Sequence, residues 1–585
     1  MDFFSFLTLL GGLALFLYGM DMMGDGLKKL AGGKLESILA RLTKNRFNGF
    51  LLGLCVTAII QSSSATTVML VGFVNSGIMK LSQTISIIMG ANVGTTVTAW
   101  ILSLSGIDGG EVFLLKLLKP SSFTPVLAVI GVAIIMFSKK DKKRDAGMIL
   151  LGFAVLMFGM ETMSSSVSGL KDDPGFAHLL VMFQNPVMGI LTGTVLTAII
   201  QSSSASVGIL QALALSAPIP YATAIPIILG QNIGTTITPI LSAISGNREA
   251  KRVAFACLFI KMLGVIIVTP VFYLLNSFIG FAFMASDCYV TPLNIAVVHT
   301  LFNIITTVIL IPFTKVIENT VKKIVRGKKT KIDVLDTLDD RFIDVPAFAV
   351  EKCRELVDNM ANIARDAYEK ATGLLTDYDE DVIAKVSESE KEIDRYEDKI
   401  STYLVKVSAQ NLSDRDSREV SELLHCIGDI ERISDHAVNI CEAITEIHDK
   451  NIEFSNDAIH DITVISDATK EVLNLAVSAL CGEDLSVAKE VEPLEQVIDR
   501  LKRKIKNNHI KRLQDGGCTV ELGFILSDLL TNYERIADHC SNIAVCILET
   551  ANGTFEPHEY LNHVKSEGEN EFYEQYDMYK KKYTL

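Results

Sequence analysis

QSSSATT at residues 61–67 returns as QSSSASV at residues 201–207. GANVGTT (90–96) returns as GQNIGTT (230–236), and YGMDMM (18–23) as FGMETM (158–163), each pair 140 residues apart. Gly53 matches Gly193, and Ala58-Ile59-Ile60 matches Ala198-Ile199-Ile200, in the same register. No gap is needed between residues 18 and 96, so the first half of the chain is a duplicated unit. Each copy sets an uncharged polar cluster inside strongly apolar sequence. That is the pattern of a substrate site built from interrupted membrane segments in two repeats.

The 585 residues and net charge of −14 conceal a split. Residues 1 to about 314 are apolar and rich in Gly, Ser and Thr; from Lys315 onward the chain is charged and helical in pattern. The acidic second half argues against nucleic-acid binding. The ten cysteines show no CxxC and read as buried, reduced thiols. The opening apolar run lacks a basic leader and an Ala-x-Ala exit, so it reads as a first membrane helix.

Apolar segments fall near residues 3–23, 49–79, 81–104, 122–138, 147–167, 186–213, 221–244, 253–275 and 291–314. Basic loops (Lys28 to Arg46, Lys139 to Arg144, Arg248 to Arg252, Lys315 to Lys329) mark the cytoplasmic side. The segment at 3–23 then runs inward and its partner at 147–167 runs outward, so the copies are inverted. The count closes only if 49–79 and 186–213 are re-entrant hairpins with QSSS at their tips, meeting near the midplane. The expected architecture is an all-α polytopic membrane protein with repeat 1 over 1–138 and repeat 2 plus a final helix over 139–314. A linker (315–344), a helical domain (345–550) and a polar, loose tail (551–585) follow.

A non-helical tip exposes backbone NH and C=O groups, tolerable only against protein or a water-filled cavity. Carbonyls, hydroxyls and amide oxygens are hard ligands for Na⁺; free NH groups at half-helix N-termini hold oxyanions. The competing view, Ser and Thr as packing residues between helices, does not account for two copies each followed by Asn-x-Gly-Thr-Thr. Lys261, inside 253–275, reads as snorkelling to the surface rather than facing a cavity. His299 and Asn303 either line the pathway or hydrogen-bond between helices.

The paired QSSS motifs, the Asn-x-Gly-Thr-Thr after each, and HTLFN (299–303) resemble the bacterial sodium-dependent phosphate cotransporters of the type II Na⁺/phosphate family. The resemblance implies symport of inorganic phosphate with Na⁺, the cargo ion, at Gln61, Ser62, Ser63, Ser64, Gln201, Ser202, Ser203 and Ser204. Thr95, Thr96, Thr235 and Thr236 are implied neighbours. Thr66, Asn92, Ser206 and Asn232, in the same motifs, complete the candidate set. Residue chemistry alone indicates a small anion or a Na⁺-coupled solute; phosphate comes from the resemblance.

The second half holds its own repeat. LHCIGDIERISDHAVNI (424–440) matches LSDLLTNYERIADHCSNI (526–543), and EIDRYEDKI (392–400) parallels VIDRLKRKI (497–505). Two three-helix units result, about 345–445 and 455–550, similar to the PhoU family of phosphate-signalling proteins. Glu431 and Asp435, and Glu534 and Asp538, are spaced i, i+4 on one helix face. The resemblance implies iron or zinc there, with Asp394 and Asp499 as weaker ligands. The alternative is a solvated face paired by Arg432 and Arg535. His436 and His539 point off that face and read as packing or surface residues.

The expected protein is therefore a cell-membrane Na⁺/phosphate symporter in the lipid bilayer, not an enzyme, with a cytoplasmic PhoU-like regulatory domain. That domain would bind a signalling partner or self-associate. The rivals are a transporter or exporter of another oxyanion, and a phosphate sensor without turnover.

Overall fold

The computed structural model describes residues 3–31, 45–107, 120–138, 140–169, 175, 180–285, 287–327, 333–343, 345–410, 412–552 and 570–585. Lys139, most of the first basic loop, Asp172 and Asp173 lie outside them. The chain divides into two units, Met1–Phe342 and Ile343–Leu585. Among the described residues everything regular is helical, apart from an isolated bridge between Pro220 and Tyr289.

The first unit runs α1 (Phe3–Ala31), α2 (Arg46–Ile60), α3 (Ser63–Asn75), α4 (Leu81–Gly94), α5 (Thr96–Ser103), α6 (Pro120–Phe137), α7 (Asp141–Ser166), α8 (Pro186–Ile200), α9 (Ser203–Ser216), α10 (Tyr221–Gly234), α11 (Ile237–Ala243), α12 (Arg248–Ile279), α13 (Pro292–Leu310) and α14 (Thr314–Ile324). Among the described residues six stretches are long and apolar enough to cross a membrane: α1, α4 with α5, α7, α10 with α11, α12, and α13 continuing into α14. This unit is inside out relative to a protein folded in water. Thr57, Thr66, Gln211, Thr223 and Gln231 are buried, while Phe4, Leu10, Val129, Ile199 and Phe278 face outward. Only a hydrocarbon surrounding makes that distribution stable.

The inversion is visible in one helix pair. Gly12 on α1 faces Gly159 on α7, and Gly19 faces Gly152. Positions rise along one helix as they fall along the other, so repeat partners α1 and α7 lie antiparallel. Each glycine lets backbone meet backbone; a Cβ on Gly19 would lie 2.7 Å from the Gly152 carbonyl oxygen. The same device joins α2 to α4 at Gly53 and Gly90, and α8 to α10 at Gly193 and Gly230.

After α14, residues 333–342 fold back onto the first unit. Asp339 accepts from Asn75 at 2.7 Å and from Arg341 at 2.5 Å, Arg341 donates to the Ser242 carbonyl, and Phe342 packs on Phe73.

The second unit holds two three-helix bundles: α15 (Pro346–Gly373), α16 (Glu380–Ser408) and α17 (Asp414–Asp449), then α18 (Asn456–Gly482), α19 (Leu485–Gln514) and α20 (Val520–Asn552). They join where α17 packs on α20 and α15 on α18, with Tyr368 edge-on to Tyr533. Residues 551–585, read as a loose tail, contain α21 (Asn570–Lys582) packed on α19. Tyr579 donates to Glu490 at 3.0 Å and Lys582 pairs with Glu471 at 2.6 Å. Its charged composition hid anchoring that comes from acids on α18 and α19.

Candidate functional site

Both QSSS stretches have one local design. Helix α2 stops because Gln61 adopts a left-handed conformation, φ 60°, and α8 stops identically at Gln201, φ 60°. A non-glycine residue there costs about 1–3 kcal/mol, so surrounding structure must hold it. Ser62 and Ser202 then cap the next helices: their Oγ atoms accept from the Ala65 and Ala205 amides at 3.1 and 3.2 Å. The chain doubles back, since Thr57 donates to Thr66 at 3.0 Å and Thr197 to Ser206 at 2.8 Å. Helices of 15 and 13 residues, and of 15 and 14, are each about 20 Å long and too short to cross alone.

Every break therefore carries a helix C-terminus and a helix N-terminus side by side. The first-turn amides of Ser63 and Ser64, and of Ser203 and Ser204, have no intrahelical acceptor. Carbonyl ends favour a cation and amide ends an anion. The second tip meets the opposite repeat: Thr95 Oγ1 lies 3.5 Å from Ser203 Oγ. Thr96 and Thr236 bond back to the Val93 and Ile233 carbonyls, and Asn232 to Ile228. Ser63, Ser204, Asn92 and Asn232 are buried beside them, Ser64 half-buried.

The two glutamines differ in surroundings despite equal backbone angles. Gln61 is buried and accepts from Thr98 at 2.7 Å. Gln201 is exposed, and the hydroxyl of half-buried Thr238, the counterpart of Thr98, is buried with no partner among the described residues.

Reasoning from sequence missed Thr57 and Thr197, although both sit in register one residue before the matched Ala-Ile-Ile. It also misjudged Lys261. That side chain does not snorkel: it is buried, and its ammonium donates to Thr235 Oγ1. Asn303 donates to the His299 carbonyl, so the pair bonds within α13, and neither ring nitrogen of buried His299 has a partner among the described residues.

In the second unit the four predicted metal ligands do not assemble into one cluster. Asp435 joins Glu390 and Asp394 of α16, with donor atoms within 4.8 Å of one another. Glu534 pairs instead with Lys502 at 2.9 Å. Glu431 and Asp538 have Arg432 and Arg535 beside them, at 3.5 Å from each. Asp435 lies 3.8 Å from Arg432. No group of three ligand atoms among the described residues includes Glu431, Glu534 or Asp538. The i, i+4 rule places carboxylates on one face but does not say which neighbouring helix supplies the rest. Burial and the neighbouring acids Asp435 and Asp394 raise Glu431 above the usual carboxylate range. His436 and His539 stack at 5.7 Å between α17 and α20, bonded to Asn532 and Asp429 at 2.8 Å each.

These features define a membrane carrier with a helical accessory unit. The model of the Na⁺/Pi-cotransporter family matches residues 15–165 and 156–286, and that of the PhoU domain matches 357–444 and 462–547. The "Putative inorganic phosphate export protein YjbB" of Escherichia coli (strain K12) is 24% identical over 571 residues, 93% of this chain and 98% of that protein. The uncharacterized protein YqeW of Bacillus subtilis (strain 168) is 31% identical over 316 residues, 54% of this chain and 96% of that protein. The sodium-dependent phosphate transport protein 2A of Rattus norvegicus is 38% identical over 99 residues, 16% of this chain and 15% of that protein. The chain belongs to the Na⁺/Pi-cotransporter family and carries a PhoU domain. It is a membrane protein of phosphate transport.

Proposed function

We propose that the protein is a symporter that binds Na⁺ and inorganic phosphate together at the two QSSS tips and exposes them alternately to either side. The contact of Thr95 with Ser203 carries this reading, because it brings one repeat's Asn-x-Gly-Thr-Thr onto the other repeat's half-helix N-terminus. The amides and hydroxyls of Ser63, Ser64, Ser203 and Ser204 bind phosphate; the carbonyl ends of α2 and α8, with Gln61 and Gln201, bind Na⁺. Thr66, Ser206, Asn92, Asn232, Thr96 and Thr236 complete the surroundings of the two ions. The Na⁺ gradient drives net movement into the cell.

Proteoliposomes with a Na⁺ gradient test this. Na⁺-dependent uptake of radiolabelled phosphate is expected for the intact chain. A loss of more than about tenfold is expected for Ser62→Ala with Ser202→Ala, since each cap is worth about 1 kcal/mol and orients the amides around it. Phosphate binding without turnover would replace the symporter with a sensor.

The similarity to a named phosphate exporter favours a second reading, net export. Loading phosphate inside the vesicles and reversing the gradient separates the two: an importer gives influx and efflux that both follow Na⁺, whereas an exporter empties the vesicles without it. Competition by arsenate and sulfate defines the oxyanion.

On this reading the PhoU domain lies in the cytoplasm, the side the basic loops favour, and restrains transport according to phosphate status. Uptake unchanged in rate and phosphate dependence after deletion of residues 343–585 would rule this out. Glu390, Asp394 and Asp435 would hold its metal. An all-carboxylate set suits a hard ion such as ferric iron better than structural zinc, which favours Cys and His. Such an ion would cross-link α16 to α17.

A further inference from the structure

We infer that the Lys261 ammonium is the fixed counter-charge of the transported anion, on the second repeat's side of the site. The inference rests on the QSSS tips being the phosphate site.

Depth comes first. Lys261 stands eight residues beyond Val253, where the apolar run of α12 begins, which is about 12 Å of helix. The hydrocarbon layer is about 30 Å thick, so the residue is close to its middle. It shares the buried face of α12 with Cys257, Ile260 and Gly264, and that helix packs on α3, α4 and α10. No carboxylate among the described residues pairs with it. An ammonium held there without a counter-ion is costly, and intramembrane charges of this kind mark ion pathways.

Its hydrogen bond points the same way. Thr235 Oγ1 donates to the Asn232 carbonyl at 2.8 Å, so toward Lys261 it can only accept. One of the three ammonium protons is used, leaving two for an oxyanion. The repeat shows what was displaced. Thr95 in the first copy meets Ser203; the 140-residue offset maps that pair onto Thr235 and Ser63. At the second position Thr235 receives Lys261 instead. Lys261 lies outside the matched segments 18–96 and 158–236, so it adds a single charge to an otherwise two-fold site. Lysine suits a carrier, because a point charge on a flexible stem releases an oxyanion more readily than the two-pronged arginine fork.

The test is equilibrium binding of radiolabelled inorganic phosphate to purified full-length protein at fixed, saturating Na⁺. Lys261→Met removes the charge, Lys261→Gln removes it but keeps a donor for Thr235, and Lys261→Arg keeps the charge. Both neutral variants are expected to bind phosphate at least about tenfold more weakly, as for loss of a close charge pair. Lys261→Arg is expected to bind as tightly as the parent and to turn over more slowly. Neutral variants that bind phosphate like the parent overturn the inference and leave the transport reading intact; so do neutral variants altered only in Na⁺ dependence. A parent protein that binds no phosphate removes the transport reading and this inference with it. Should the neutral variants fail to fold, Lys261→Arg decides: binding and turnover both unchanged would assign the residue to folding alone.

Discussion

Gly90→Ala is expected to abolish the folded carrier. Gly90 lies where α4 crosses α2, and a Cβ there would fall well inside the contact radius of the Phe50 carbonyl oxygen. The obstacle is backbone, so no rotamer relieves it. Gly53 faces the Ile87 carbonyl from the other helix, and Gly94 brings α4 to 2.5 Å from the Leu54 oxygen by the same measure. One methyl must therefore force apart a pair of helices held together by a row of such contacts. Overpacking a tight contact costs about 1–3 kcal/mol, and more where backbone cannot yield. The measurement is the yield of monodisperse protein extracted from membranes, with phosphate uptake for whatever survives. Gly230→Ala, the 140-residue counterpart against Ile190, is expected to behave alike. Gly428→Ala in α17, with nothing within 4 Å, is the control and is expected to gain about 0.5–1 kcal/mol. Normal yield and uptake from Gly90→Ala would mean that the two helices do not pack as described.

Arg354→Met is expected to destabilise the second unit by about 3–5 kcal/mol, lowering its melting point on the order of 10 °C. Arg354 on α15 donates to Glu419 at 2.6 Å and Glu422 at 2.8 Å, both on α17, and all three are largely buried. Removing the guanidinium strands two carboxylates. Burial already holds Glu422 above the usual carboxylate range, despite the arginine beside it. A carboxyl whose folded pKa is raised contributes stability below its unfolded pKa and loses it as pH rises through the folded one. Without Arg354 the rise is larger, so the variant should regain some of its stability as pH falls from about 7.5 to about 5.5. Trp100, the sole tryptophan, reports the first unit, so a helical circular-dichroism transition that its fluorescence does not follow is assigned to the second. A deficit equal at both pH values would show that lost packing, not stranded charge, is the cause.

Much of the carrier was legible in the chain itself. A 140-residue repeat through uncharged polar motifs, with basic loops of alternating placement, leaves two inverted copies and two hairpins as the arrangement that satisfies both bilayer length and charge. The hairpin tips were legible because an uncharged polar QSSS cluster interrupts apolar sequence twice in one register; the left-handed glutamine that ends each first helix was not, since glutamine by itself continues a helix well. The pairing of ERIxD segments likewise marked α17 and α20 as related.

Long-range neighbours were not legible. Identical QSSS stretches place Gln61 against Thr98 and leave Gln201 exposed, because side-chain partners come from helices packed at a distance in sequence. Lys261 read as a surface-seeking lysine because hydropathy gives depth but not facing; the rotation of α12 against α10 turns it onto Thr235. Asp435 found Glu390 and Asp394 rather than Glu534 for the same reason. Periodicity decides which residues share a face of one helix. What that face meets depends on how several helices pack, and that is a property of the folded whole.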